Sequence, residues 1–472
     1  MKLFVIIRNA HIDIEKETLK GNSKRRAGLS PAIQKRGGNP SANLREVLAR
    51  NRLSSKGGVY AVCSAHPWVI DAAIQQSIED SSVLHIESTS SQVNQHGGYS
   101  GQTPSQFAEF VHAAARRMGL PEDQILLGGD HLGPFPWKSE ASNSALNKAC
   151  ELARACVLAG YRKIHLDASM ACADDARVLS EEIVAQRAAV LCEAAEEALK
   201  GSGTGVDPPL YVIGTEVPVP GGESALGVPP AVTTIESLHR TLQVFQQAFE
   251  ERGLSAAWQR VIGVVVQPGV EFGDEVVFEY DRTEARSLSK GLPSSTSLVY
   301  EAHSTDYQTS SALAQMVEDH FAILKVGPWL TFAFREAVFA LSAIEKELLT
   351  PEKSRILSQV REALDHAMLR EPAYWRAYYS GDESQLHISR AYSYSDRCRY
   401  YWHESSVQAE IARLIENLTA KPVPLTLISQ YLPLEYTAIR AGQIENQPEA
   451  IIRYHIRLVL RSYAIACGSR AA

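Results

Sequence analysis

Short, nearly unbroken apolar runs rich in β-branched residues alternate along this chain with longer stretches whose apolar positions recur every three to four residues. The runs are VYAVCSAH from Val59, VLHIES from Val83, ILLGGDH from Ile125, KIHLDAS from Lys163, YVIGTEV from Tyr211, VIGVVVQPG from Val261, SLVYEAHS from Ser297 and FAILKVGP from Phe321. The helical stretches include PSQFAEFVHAAARRMG from Pro104, SALNKACELARACVLAG from Ser144, SEEIVAQRAAVLCEAAEEALK from Ser180 and TIESLHRTLQVFQQAFEERG from Thr234, several opening on Ser, Thr or a first-turn Pro. The alternation predicts an α/β fold, a (β/α)8 TIM barrel over residues 41–350. A doubly wound open sheet is the rival architecture. The barrel is preferred because eight units are present and each run turns polar only at its C-terminal end.

Outside the barrel the pattern changes. Residues 1–40 carry nine basic and three acidic residues with little periodicity, and read as a loosely ordered basic extension. After WLTFAFREAVFALSAIEKELL, residues 351–472 read as a helical, aromatic-rich appendix packed on the barrel.

Composition narrows the function classes. With 45% hydrophobic and 21% charged residues in 472, the chain is an ordinary globular protein with ample core. A formal net charge of −7 argues against a surface built for nucleic-acid phosphates or anionic lipid. The 7 cysteines are odd in number and contain no C-x-x-C pair, so reduced thiols and a cytoplasmic setting are expected. Leu3 to Ile7 is too short an apolar stretch for a membrane span, and no later run approaches the required length.

In a barrel the strand C-termini converge on one mouth, so polar strand endings are the candidate chemistry. They are Ser64 and His66, Glu87, Asp130 and His131, His165 and Asp167, Glu216, Gln267 with Glu271, Glu301 with His303 and Asp306, and Lys325. Each alone is readily a cap or loop residue. Together they supply the imidazoles and carboxylates that a divalent ion takes, with carboxylates left over for proton transfer. In GGDHLGP the adjacent Asp130 and His131 are expected on opposite sides of an extended strand, one for metal and one for a proton. Glu216 and His303 are further ligand candidates. His165 and Asp167, two apart, share a face that suits either the pocket or an interior layer. In SRAYSYSDRCRYYW, arginines 390, 397 and 399 suit either phosphate binding or aromatic packing. Neither a P-loop nor a G-x-G-x-x-G after a strand is present, and NQHGGYSG and PGGE suit equally a backbone N–H cradle for phosphate or flexible turns.

The segments CSAHP, HIESTSSQVNQHGGYSG, GGDHLGP, KIHLDASM, YVIGTEVPVPGGE, VVVQPGVEF, VYEAHSTDYQT, HFAILKVGP, YSYSDRCRYYW and LISQYLP resemble, in order, those of the Z-type subunit family of D-tagatose-1,6-bisphosphate aldolase, also labelled tagatose-6-phosphate kinase. The resemblance runs from about Leu44 to the C-terminus and implies a class II aldolase-like barrel acting in galactitol and tagatose breakdown. Family members are either non-catalytic supports of a zinc-bearing aldolase subunit or 4-epimerases of a ketohexose 6-phosphate. A kinase would need a nucleotide cradle, which is lacking in the sequence. Converging charges in a barrel mouth are costly without a ligand, which favours catalysis over support.

The expected reaction is therefore metal-dependent conversion of D-tagatose 6-phosphate to D-fructose 6-phosphate by retro-aldol and aldol steps. Asp130 and Glu216 are the candidate catalytic residues, and His131, Glu216 and His303 the candidate ligands for zinc, manganese or nickel. Ser64, His66, Glu87, His165, Asp167, Gln267 and Asp306 are expected at the substrate, with Lys325, Arg397 and Arg399 on its phosphate. A homo-oligomer and a class II aldolase catalytic subunit are the expected protein partners, and bisphosphate cleavage by this chain itself is a third possibility.

Overall fold

The computed structural model describes residues 39–201, 206–215, 229–293, 296–350 and 355–469. Eight parallel strands close a barrel: β1 Val59–Cys63, β2 Leu84–Thr89, β3 Ile125–Leu132, β4 Lys163–Leu166, β5 Leu210–Ile213, β6 Val261–Val265, β7 Val299–Ala302 and β8 Ile323–Val326. Each pairs with its successor and β8 returns to β1, with Val59 opposite Ile323 and Val62 opposite Val326. The fold is the TIM barrel expected from the alternating pattern. Thr103, Thr234 and Thr309 cap the helices that follow β2, β5 and β7, each accepting a backbone N–H from the first turn. Between β6 and β7 a short antiparallel ladder pairs Glu271–Phe272 with Val277–Phe278.

The barrel has an apolar bottom and a charged top. Leu126, Leu210, Val212, Ile262, Val299 and Ile323 form a cluster inside it, and Leu44 and Leu48 of the helix Pro40–Ser54 complete that cluster. Asn51 locks the helix in place, its amide donating to the carbonyls of Gly57 and Val317 at 2.8 Å each. This helix therefore plugs the end of the barrel remote from the strand C-termini.

The segment read as an appendix divides in two. Its last helix, Pro448–Ala466, packs against Pro67–Asp80, Ser310–Glu318 and Pro328–Leu349, so it takes a place in the ring of helices around the barrel. Tyr463 on that helix donates to the Thr305 carbonyl just beyond β7 at 2.7 Å. The earlier part, through residues 378–408, lies over the mouth instead. None of the helices among the described residues is long and apolar enough to cross a membrane.

Candidate active site

Inward-facing positions of the upper strands are polar because successive inward residues lie two apart. Lys163 and His165 on β4, Glu301 and His303 at β7, and His85 and Glu87 on β2 follow that parity and are buried. Gly128 on β3 makes room for them, since a Cβ there would lie 2.8 Å from Glu87 Cγ. Lys163 Nζ bridges Glu87 Oε1 at 2.7 Å and Glu301 Oε2 at 2.6 Å. Lys325 on β8 contacts Glu87 and lies 3.0 Å from Asp130 Oδ1. Three carboxylates thus face two ammonium groups, with Lys163, Glu87 and Glu301 fully buried and Lys325 and Asp130 nearly so, an arrangement tolerable only because each charge is paired.

Above this layer three imidazoles meet. Ring centroids of His131 and His303 are 4.8 Å apart, His165 and His303 5.1 Å, and His131 and His165 5.3 Å. Asp130 lies among them, its Oδ1 3.1 Å from His165 Nδ1 and its Oδ2 3.8 Å from His131 Nε2. His303 Nε2 is 3.0 Å from Glu301 Oε1. His131 Nδ1 is 2.7 Å from Asp167 Oδ2, and Ser169 donates twice to the other oxygen of Asp167.

The expectation that Asp130 and His131 point to opposite sides is corrected here: both line the same cavity. The pairing of β3 with β4 shifts between Gly129 and Leu132, and His131 adopts a left-handed φ of 47°, so the bulge turns its ring into the mouth beside Asp130. Ser304 and Tyr307, just after His303, are also left-handed, at 54° and 64°. Such conformations in non-glycine residues gather at sites where the backbone serves a function.

The charges shape one another. Burial pushes the Asp130 carboxyl up, but the field of His131 and the bond from His165 outweigh it and hold it well below the usual carboxylate range. Burial would lower the His131 imidazole, yet Asp130 and Asp167 lift it to about 9. For His303 burial prevails over Glu301 and Asp130, and the imidazole is lowered. Burial brings Lys325 down to about 8, with Cys63 acting the other way.

Ligand atoms of Asp130, His165, Glu301 and His303 lie within 4.8 Å of one another, a set that could hold a divalent ion. His165 Nε2 is buried without a hydrogen-bond partner among the described residues, as an unfilled coordination position would be. Asp167 on His131 Nδ1 fixes that ring beside the set, with Nε2 turned toward Asp130. The imidazole and carboxylate donors therefore fit a divalent metal ion.

A cavity of about 430 Å³ opens above this cluster. Its wall includes Ser64, His66, Asp130, His131, His303, Asp306, Lys325 and Arg399 of the expected residues. Others point elsewhere. Glu87 lies beneath the cavity between the lysines, and Gln267 accepts the Gly269 N–H at 2.8 Å within its own turn. Arg397 stacks on Tyr378, 3.0 Å from the ring centroid, and donates to the Tyr374 carbonyl. Glu216 lies outside the described residues. Lys163 was missed although it shares the parity of His165, and Glu301 was noted as a strand ending without a role although it stands two residues before His303. Of the roof residues, Tyr400 and Trp402 lie in the segment SRAYSYSDRCRYYW, whereas Tyr378 and His403 gave no local signal.

The model of the family described as D-tagatose-1,6-bisphosphate aldolase subunit GatZ/KbaZ-like matches residues 44–468. A crystal structure of a probable tagatose 6-phosphate kinase from Sinorhizobium meliloti 1021 is 43% identical, with a TM-score of 0.79, over 87% of this chain and 100% of that one. Fructose-bisphosphate aldolase from Campylobacter jejuni is far more distant, 13% identical with a TM-score of 0.40 over 81% of this chain and 93% of that one.

Proposed function

Because the chain belongs to the GatZ/KbaZ-like family of D-tagatose-1,6-bisphosphate aldolase subunits, we propose that it works as a 4-epimerase converting D-tagatose 6-phosphate to D-fructose 6-phosphate. The observation that carries this reading is the meeting of His131, His165 and His303 around Asp130 at the floor of a sugar-sized cavity.

His165, His303, Glu301 and one oxygen of Asp130 would hold the divalent ion, which when bound would polarise the ketose carbonyl as a Lewis acid. Asp130, kept ionised by its imidazole neighbours, takes the proton of the C4 hydroxyl. The C3–C4 bond then breaks, its electrons forming an enediolate across C2 and C3 and leaving C4 as an aldehyde. The aldehyde rotates to present its other face. C3 adds back to C4, and Asp130 returns the proton to the new C4 oxygen. Substrate and product have the same composition, and no electrons are lost. His131, tied to Asp167, and Lys325, tied to Asp130, keep the floor fixed during that rotation. All seven cysteines are free thiols, which agrees with work in the cytoplasm.

The test is to incubate the purified lone chain with D-tagatose 6-phosphate and manganese, zinc or nickel, with and without chelator. Interconversion that chelator abolishes, and that Asp130→Asn lowers by roughly 10²–10⁴-fold, supports the reading. A lone chain that is inert but restores activity to a class II aldolase subunit would replace it with the supporting role. Triose phosphate accumulating when D-tagatose 1,6-bisphosphate is supplied, with no epimer from the 6-phosphate, would replace it with bisphosphate cleavage.

A further inference from the structure

The epimerase reading leaves open where the phosphate of the substrate is held, and the inference that follows rests on that reading. In TIM barrels a phosphate commonly seats near the loops after β7 and β8, against unpaired N–H groups at a helix N-terminus. Here the helix Pro328–Leu349 begins one residue after β8, and its first N–H groups are already taken. Gly327 N–H and Trp329 N–H both donate to Asp306 Oδ1 at 2.9 Å, and residue 328 is a proline without a donor. Asp306 is buried, and burial lifts its carboxyl to about 6 against the pull of those two donors. Near neutral pH it is an anion in the usual anion seat, so a phosphate would meet repulsion there.

Another part of the cavity wall differs. It is built from the segment that crosses the mouth, with Arg399, Trp402 and His403 on its surface. Arg399 donates to the backbone carbonyls of Ser395 and Asp396 and to the Tyr400 hydroxyl, all uncharged acceptors; among the described residues no carboxylate contacts it, and the carboxylates of Asp396 and Asp306 act on it only through their field. Trp402 is 1% exposed, and its Nε1–H has no hydrogen-bond partner among the described residues. His66, across Phe334 from it, is also left with an unpartnered Nδ1, and burial pushes that imidazole down to about 3 so that it adds a hydrogen bond without charge. A buried N–H without an acceptor is costly, and a ligand oxygen would relieve it. The segment is held rigidly: Asp396 accepts from Arg335 Nε at 3.1 Å and from Thr331 Oγ1 at 2.6 Å, both buried.

We propose that Arg399, the Trp402 indole N–H and His66 form a single phosphate subsite under the roof contributed by the C-terminal segment. A ketohexose 6-phosphate then hangs from the roof with its reacting carbons at the His131, Asp130 and His303 floor. Lys325, the ammonium on the floor side of the cavity, is held by Glu87 and Asp130 and does not make a second phosphate seat. Among the described residues the site therefore offers one charged seat for a phosphate, matching a monophosphate, and no second ammonium or guanidinium free for a phosphate on C1.

Calorimetric titration of the full chain with D-fructose 6-phosphate, D-fructose, D-fructose 1,6-bisphosphate and inorganic phosphate tests this without requiring turnover. The 6-phosphate should bind more tightly than D-fructose and no less tightly than the bisphosphate. Trp402→Phe keeps the ring and removes the donor, and Arg399→Met removes the charge; each should weaken 6-phosphate binding about 10- to 100-fold and leave D-fructose binding unchanged. Weak binding of inorganic phosphate, lost in both variants, supports the same seat. Equal loss for phosphorylated and plain sugar, or 6-phosphate binding untouched in variants whose circular dichroism is native, overturns the proposal. An epimerase indifferent to the phosphate would sink this inference and keep the reaction, whereas an inert chain that binds as described would do the reverse.

Discussion

His131 Nδ1 lies 2.7 Å from Asp167 Oδ2, so a carboxylate at the end of β4 fixes the ring that the β3 bulge turns into the mouth. The pairing sets the imidazole orientation and leaves Nε2 as the group available to a ligand. Replacing Asp167 with Asn keeps the shape and removes the charge. Metal affinity, read by competition with a coloured chelator, should fall roughly 10- to 100-fold. Unchanged affinity would mean that His131 is not part of the metal centre.

Lys163 is fully buried between Glu87 and Glu301. Lys163→Met removes the ammonium that both carboxylates share and leaves Lys325 as the one ammonium against Glu87, Glu301 and Asp130, and loss of one partner from a buried charge network costs about 3–5 kcal/mol. Urea unfolding measures it. Adding Glu87→Gln to Lys163→Met should recover part of the loss, because one carboxylate charge disappears. A cost below about 1 kcal/mol for the single variant would show that water reaches the network.

Leu48 carries the plug at the lower end of the barrel, where it is 2% exposed. Leu48→Ala should lower stability by about 2–5 kcal/mol, the range for a buried leucine whose surroundings cannot collapse. Metal binding at the far end should be retained at temperatures where the variant is folded. Loss of both together would show that the plug and the mouth are coupled.

His455 joins three helices, with Nδ1 2.8 Å from the buried Glu435 and Nε2 3.3 Å from Glu336. Burial works against its charged form, but the two glutamates prevail and raise the imidazole to about 10. A folded-state value above the unfolded one means that the stabilisation is complete below the unfolded value of roughly 6.5 and declines as pH rises to about 10. The difference in thermal midpoint between the protein and its His455→Gln variant should therefore be largest at pH 6 and shrink steadily toward pH 10. A difference that does not depend on pH would assign the residue to packing alone.

Much of the barrel is legible locally, because strand and helix periods are properties of neighbouring residues. VYAVC, ILLGGDHL and KIHL are apolar or inward-facing by sequence parity, and the Thr caps at 103, 234 and 309 announce the helices that follow. The same parity connects Lys163 with His165 and Glu301 with His303, so the interior charges were written in the strands although their pairing was not. The bulge at His131 left no comparable mark, since it depends on how β3 registers against β4.

The chain by itself determined that polar groups would gather at one end of a closed barrel, since that follows from period-two alternation within each strand. Only the tertiary structure decided which of them meet: that Glu87 goes to the lysines, that Arg397 stacks on Tyr378 while Arg399 reaches the cavity, and that the last helix enters the outer ring. These outcomes depend on contacts between residues far apart in the chain, where volume, charge pairing and strand register are settled jointly and no short stretch of sequence holds the answer.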